Sequence, residues 1–145
     1  MGRFIYRGTT RHVNEFSSLS KLGITSASED ALIATLFAIE CQRFGASIVL
    51  MCDRTKVAEL MQPAKVLEDL EREIVLGIGP ELFAASHVEK RLTPQLAREI
   101  LAELGFELPP TIANKAVLHN LLQHTPRLSE DHLQRFDREA LARGY

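Results

Sequence analysis

Residues 28–52 read SEDALIATLFAIECQRFGASIVLMC, and the change of rhythm inside this stretch decides the fold class. Ser28 offers a capping hydroxyl, and Glu29 and Asp30 place negative charge where a helix beginning there has its positive end. Ile33, Leu36, Phe37, Cys41 and Phe44 then recur at spacings of three and four, with Leu32 and Ile39 widening the apolar face, until Gly45 supplies the stop. The spacing predicts a helix that is mostly buried. Ser47 to Cys52 is a continuous apolar run too short for a helix, so it predicts a central strand. A buried helix followed at once by a buried strand belongs to a chain that mixes the two.

Working outward, Arg3 to Arg7 alternates, with Phe4 and Tyr6 on one face and Ile5 and Arg7 on the other, and Gly8 is expected to end this short strand. The polar stretch Thr9 to Lys21 reads as a loop. Thr55 to Leu60 reads as a short helix closed by Pro63. Glu71 to Leu76 alternates again, so that Glu71, Glu73 and Val75 share one strand face and Arg72, Ile74 and Leu76 the other. Gly77, Gly79 and Pro80 break that run before Leu82 to Ala85, expected as a return strand.

Three helix signals follow one another in the last third: Thr93-Pro94 with stop Gly105, Thr111 with a helix fading near Pro126, and Ser129 with stop Gly144. This region is expected to be almost wholly helical, with Leu96, Ile100, Leu104, Leu118, Leu121 and Phe136 buried. The layout is a small α+β body over residues 1–88, with a mixed or antiparallel sheet, and a helical region over 89–145 packed on it as one compact unit.

Composition narrows the function classes. The chain has 145 residues, 46% of them hydrophobic and 25% charged, which is globular composition and the size of one domain. The apolar run Ala31 to Ile39 is far short of the roughly 20 residues a membrane helix needs. The first residues carry no apolar signal segment, so cytoplasm is the expected compartment, with delivery by signal-independent secretion left open. Seventeen basic residues against nineteen acidic give a net charge of −2, and without a basic block nucleic acid is not the expected partner. Charge is nevertheless uneven: residues 1–28 are basic and residues 29–85 acidic, so the two could face each other across a site. Cys41 and Cys52 lie in apolar runs and are expected as reduced thiols. The five histidines show no metal-ligand spacing, and Gly77-Ile78-Gly79-Pro80 lacks the third glycine and Lys-Ser pair of a phosphate loop.

Three positions are left to carry chemistry. Arg7 in Tyr6-Arg7-Gly8-Thr9 suits a guanidinium anchor for phosphate beside a glycine that lets backbone approach. Ser26-Ala27-Ser28 runs into the buried helix, and Glu71-Arg72-Glu73 puts two carboxylates on one strand face.

In that chain order the three resemble the mono-ADP-ribosyltransferase family, in the class marked by an arginine, a Ser-x-Ser element and a Glu-x-Glu pair, of arginine-specific type. Gly23-Ile24-Thr25-Ser26-Ala27-Ser28 is similar to that family's Gly-aromatic-x-Ser-Thr-Ser element, with Ile24 in place of the aromatic and Ala27 in place of the Thr. Ala34 to Phe37-Ala38 is similar to the helix that follows it, and Glu71 to Leu76 with Phe83 to the Glu-x-Glu strand and its continuation. The likeness spans roughly residues 5–85, over a short span for the family.

The resemblance implies a fold of ADP-ribosyltransferase type and an enzyme that consumes NAD as a substrate, passing ADP-ribose to a macromolecule such as an arginine side chain of a protein, as a toxin or effector would. It implies Glu73 as the carboxylate facing the ribosyl cation, Glu71 as the group that activates the acceptor, Arg7 with Gly8 at the NAD phosphates, and Ser26 and Ser28 beside the bound NAD. The expected partners are a protein acceptor or an inhibitor protein. Two alternatives stay open: a binding or regulatory module that kept the fold without turnover, and an NAD glycohydrolase in which water replaces the acceptor.

Overall fold

The computed structural model of the chain describes residues 3–10, 23–62 and 72–145. It is an α+β structure built on a five-stranded sheet in the order β4-β2-β1-β3-β5, every neighbouring pair antiparallel. The strands are β1 (Phe4–Thr10), β2 (Thr25–Ser28), β3 (Ser47–Asp53), β4 (Glu73–Leu76) and β5 (Lys90–Leu92). The helices are α1 (Ala31–Cys41), α2 (Pro80–Ser86), α3 (Pro94–Glu103), α4 (Lys115–His124) and α5 (Glu130–Arg143), with tighter 3₁₀ turns over Gln42–Phe44 and Arg54–Leu60. Among the described residues no helix is long and apolar enough to cross a membrane.

Strand alternation sorts the apolar side chains into two layers. Phe4, Tyr6, Val49 and Met51 point to the face covered by α1, α3, α4 and α5, where they meet Leu32, Leu36, Ile100, Leu101 and Phe136. Ile5, Ile48, Leu50 and Cys52 point the other way, onto Ala27, Val57, Leu76, Ile78 and Phe83. With both faces of β3 covered, all seven of its residues are buried, which is why its sequence is an unbroken apolar run. The helical stretch 94–143 shares one core with α1, and β5, just before it, completes the sheet.

Several expectations are corrected. Gly8 does not end β1, which runs on to Thr10 in unbroken register with β3, from Phe4↔Asp53 to Thr10↔Ser47. The glycine is needed instead because α1 crosses there: a Cβ on Gly8 would stand 2.0 Å from the Ala34 carbonyl oxygen and 2.6 Å from the Ala38 nitrogen. Ser28 is the last residue of β2, and Asp30 caps α1 by accepting from Leu32 N at 2.9 Å, while Ser28 Oγ accepts from Asp30 N at 3.1 Å. Phe44 leaves the buried stripe as the chain tightens after Cys41; it is 66% exposed beneath the Arg43 guanidinium.

Leu82 to Ala85 is helix, not strand, because Pro80 fits the first turn of α2 and Phe83 alone needs cover. The last third is not wholly helical, since β5 pairs Leu92 with Val49 and Lys90 with Met51. Its three helices are present, capped by Thr93, Asn114 and Ser129, so α4 starts later than Thr111 suggested. Ile100, Leu118 and Phe136 are buried, whereas Leu96, Leu104 and Leu121 are half-buried at the margin of the core. Most of the loop expected over Thr9 to Lys21, and Pro63, lie outside the described residues; Thr9 and Thr10 belong to β1.

Candidate functional site

The three strands β1, β2 and β4 lie side by side, and their register draws one row across them. Tyr6 stands opposite Ser28, and Ser28 opposite Glu73. Because side chains two apart share a strand face, Ser26 looks out beside Ser28 on the same side of β2. β1 and β2 share only the Tyr6↔Ser28 pair, whereas β1 and β3 share seven. Beyond Tyr6 the link between β1 and β2 is a side chain: Arg7 Nη1 donates to the Ser26 carbonyl at 2.6 Å.

A cavity of about 340 Å³ opens at this place. Arg7 and Gly8 of β1, Ser26 and Ser28 of β2 and Glu73 of β4 all line it, and Ala34, Phe37 and Cys41 of α1 form the opposite wall. Its volume lies within the range of small-molecule sites, roughly 300–1,000 Å³. Glu71 lies outside the described residues.

Ser26 joins the two charges of the cavity. Its hydroxyl donates to Glu73 Oε2 at 2.5 Å, and its carbonyl receives the Arg7 guanidinium. A serine donor of this kind fixes the carboxylate rotamer without neutralising the charge. Burial pulls the Arg7 guanidinium below its ordinary value, yet a guanidinium keeps its charge in any protein setting. Arg7 Nε is buried with no hydrogen-bond partner among the described residues. A partly desolvated cation in the cavity wall favours an anion beside it.

Cys41 is readable in the sequence only as part of a buried helical stripe, and Phe37 as part of that stripe and of the helix that carries the resemblance; their four-residue spacing is what puts both on the cavity wall. The Cys41 thiol is raised, first by burial and then by the neighbouring Glu40 carboxylate, so it stays protonated. Cys52 is buried on the other face of the sheet, and both cysteines are free. Among the described residues no group of three or more His, Cys, Asp or Glu side chains could hold a metal ion. Comparison of this chain with models of known families, with curated proteins and with solved structures gives no match.

Proposed function

We propose that this chain is an NAD-consuming mono-ADP-ribosyltransferase with the corresponding fold. The reading rests on one observation: Ser26 presents Glu73 inside the cavity that also holds the half-buried Arg7 guanidinium. Cleaving the nicotinamide glycosidic bond leaves a ribosyl oxocarbenium, and a fixed carboxylate stabilises that cation as the charge develops. Glu73 takes this role, with the Ser26 hydroxyl holding it in one orientation. Arg7 takes the pyrophosphate through its guanidinium, and Gly8 leaves backbone rather than a side chain beside it. Ser28 stands between Tyr6 and Glu73 and keeps the floor of the cavity polar.

Glu71 is assigned to activating the acceptor, on the resemblance alone. If water serves as acceptor instead, the same cavity runs a glycohydrolase and Glu71 is not needed. Incubating the protein with labelled NAD, with and without cell lysate, tests the proposal: release of nicotinamide together with labelled protein bands is expected. NAD left intact with lysate present refutes it. Glu71→Gln then separates the two reactions, since transfer to protein falls while hydrolysis of NAD persists if Glu71 serves the acceptor.

A further inference from the structure

Glu73 is the first residue of a four-residue edge strand, a place where a ladder holds a side chain poorly. The preceding residue compensates. Arg72 sits at φ 47°, in the left-handed region that a residue with a side chain adopts only when its surroundings impose it. Those surroundings are explicit. The Arg72 carbonyl accepts from Glu29 N at 3.2 Å, and its guanidinium is ion-paired with the Asp30 carboxylate. Asp30 is 1% exposed and makes two further contacts: it caps α1 through Leu32 N at 2.9 Å, and it accepts from Leu128 N at 3.3 Å, two residues before α5. One buried carboxylate therefore joins the start of the Glu73 strand, the helix that walls the cavity, and the C-terminal helical region.

We propose that the Asp30–Arg72 ion pair is a positioning device for Glu73: it sets the backbone from which Glu73 reaches Ser26, and makes that placement depend on the docking of residues 128–143. The proposal rests on Glu73 being the carboxylate that faces the ribosyl cation. It predicts that the pair acts in the chemical step, because NAD is held by Arg7 on β1, which the pair does not touch. A misplacement of about 1 Å is enough to cost a reaction up to about 100-fold.

The test compares Arg72→Met, Arg72→Lys, Asp30→Asn and the Asp30→Asn/Arg72→Met double variant with the wild type. Asn keeps a capping oxygen for α1, so Asp30→Asn spares the cap and removes the charge pair together with the acceptor for Leu128 N. Arg72→Met is expected to lower kcat for NAD cleavage about tenfold or more with KM within about twofold, and Arg72→Lys to recover most of it. The double variant should lose no more than the worse single one, as members of one unit do. In the free protein, amides of residues 74–76 should exchange faster in Arg72→Met while those of β3 keep their protection. An unchanged kcat, or a rise in KM alone, overturns the proposal. Wild-type protein that leaves NAD intact would refute the reaction and not the device; amide exchange then decides, and unchanged protection of β4 in Arg72→Met overturns it.

Discussion

The Ser26 hydroxyl donates to the Glu73 carboxylate at 2.5 Å across 47 residues of sequence, on the strand pair whose register sets Ser28 opposite Glu73. If Glu73 stabilises a cation that exists only in the transition state, Glu73→Gln keeps the shape and the hydrogen bond while removing the charge. NAD cleavage should then fall about 100-fold or more, the scale of losing one electrostatic stabiliser, with little change in NAD affinity. Ser26→Ala leaves the charge in place and the Ser26 carbonyl still bound to Arg7, so its loss should be smaller, about tenfold, the scale of one hydrogen bond. Labelled-NAD kinetics on both variants checks the order; a larger loss in Ser26→Ala than in Glu73→Gln would reverse the assignment.

Arg7 is expected to govern binding. A phosphate anchor contributes equally to ground and transition states, so Arg7→Ala should raise the NAD dissociation constant with kcat largely kept. Losing a charge-assisted contact of about 1.5–3 kcal/mol corresponds to roughly ten- to a hundredfold in affinity. Arg7→Lys should recover little, because an ammonium cannot reach both the Ser26 carbonyl and a phosphate as the planar fork does. Titration calorimetry with NAD in a Glu73→Gln background, where turnover is removed, measures this directly. Equal affinities in wild type and Arg7→Ala would exclude the anchor role.

Gly8 is a packing requirement. The Cβ of Gly8→Ala would meet backbone of α1 at 2.0 Å, and neither partner is a flexible side-chain end that could move aside. β1 and α1 would have to separate along the wall of the cavity. A loss near the upper end for overpacking is expected, about 3 kcal/mol, read as a fall of about 10 °C in Tm. A Tm within about 2 °C of wild type would contradict the close approach.

How far the sequence could reveal this arrangement differs by element. The buried helix and the strand Ser47–Asp53 were legible because their apolar rhythms extend over long runs. Leu82 to Ala85 is too short for rhythm to separate strand from helix, and only the fit of Pro80 at a helix start decides it. Lys90–Leu92 carries two charges in three residues, so nothing local marks it as a strand; it forms because β3 offers an edge. At the site, Arg7, Ser26 and Glu73 are each commonplace as residue types and could be named together only through the resemblance to a family's motif order; the structure brings the three to one cavity. Asp30 could be read only as a charge at a helix start, since its partner Arg72 lies 42 residues away and no local pattern encodes that pairing.

Asp137 of α5 is buried with Oδ1 lacking a hydrogen-bond partner among the described residues, and burial pushes its carboxyl up to about 7, against a smaller opposing pull from Arg3. In the unfolded chain the same carboxyl titrates near 3.8. Below that value both states hold the proton and the group costs nothing. Between about 4 and about 7 the unfolded chain has released its proton while the folded one retains it, so stability falls steadily as pH rises. Above about 7 both are ionised, and the penalty of a buried charge stays constant. Asp53 has the opposite sign: the Thr55 hydroxyl holds its carboxyl low, so the stability it adds is present above its unfolded value and is lost only as pH falls below about 4. The window between 4 and 7 therefore separates the two. Asp137→Asn should flatten the decline of Tm across that window and raise Tm at pH 8, while leaving the loss below pH 4 in place. Denaturation followed at unit steps from pH 3 to 8 measures it, and an unchanged slope between 4 and 7 in the variant would show that another group carries the dependence.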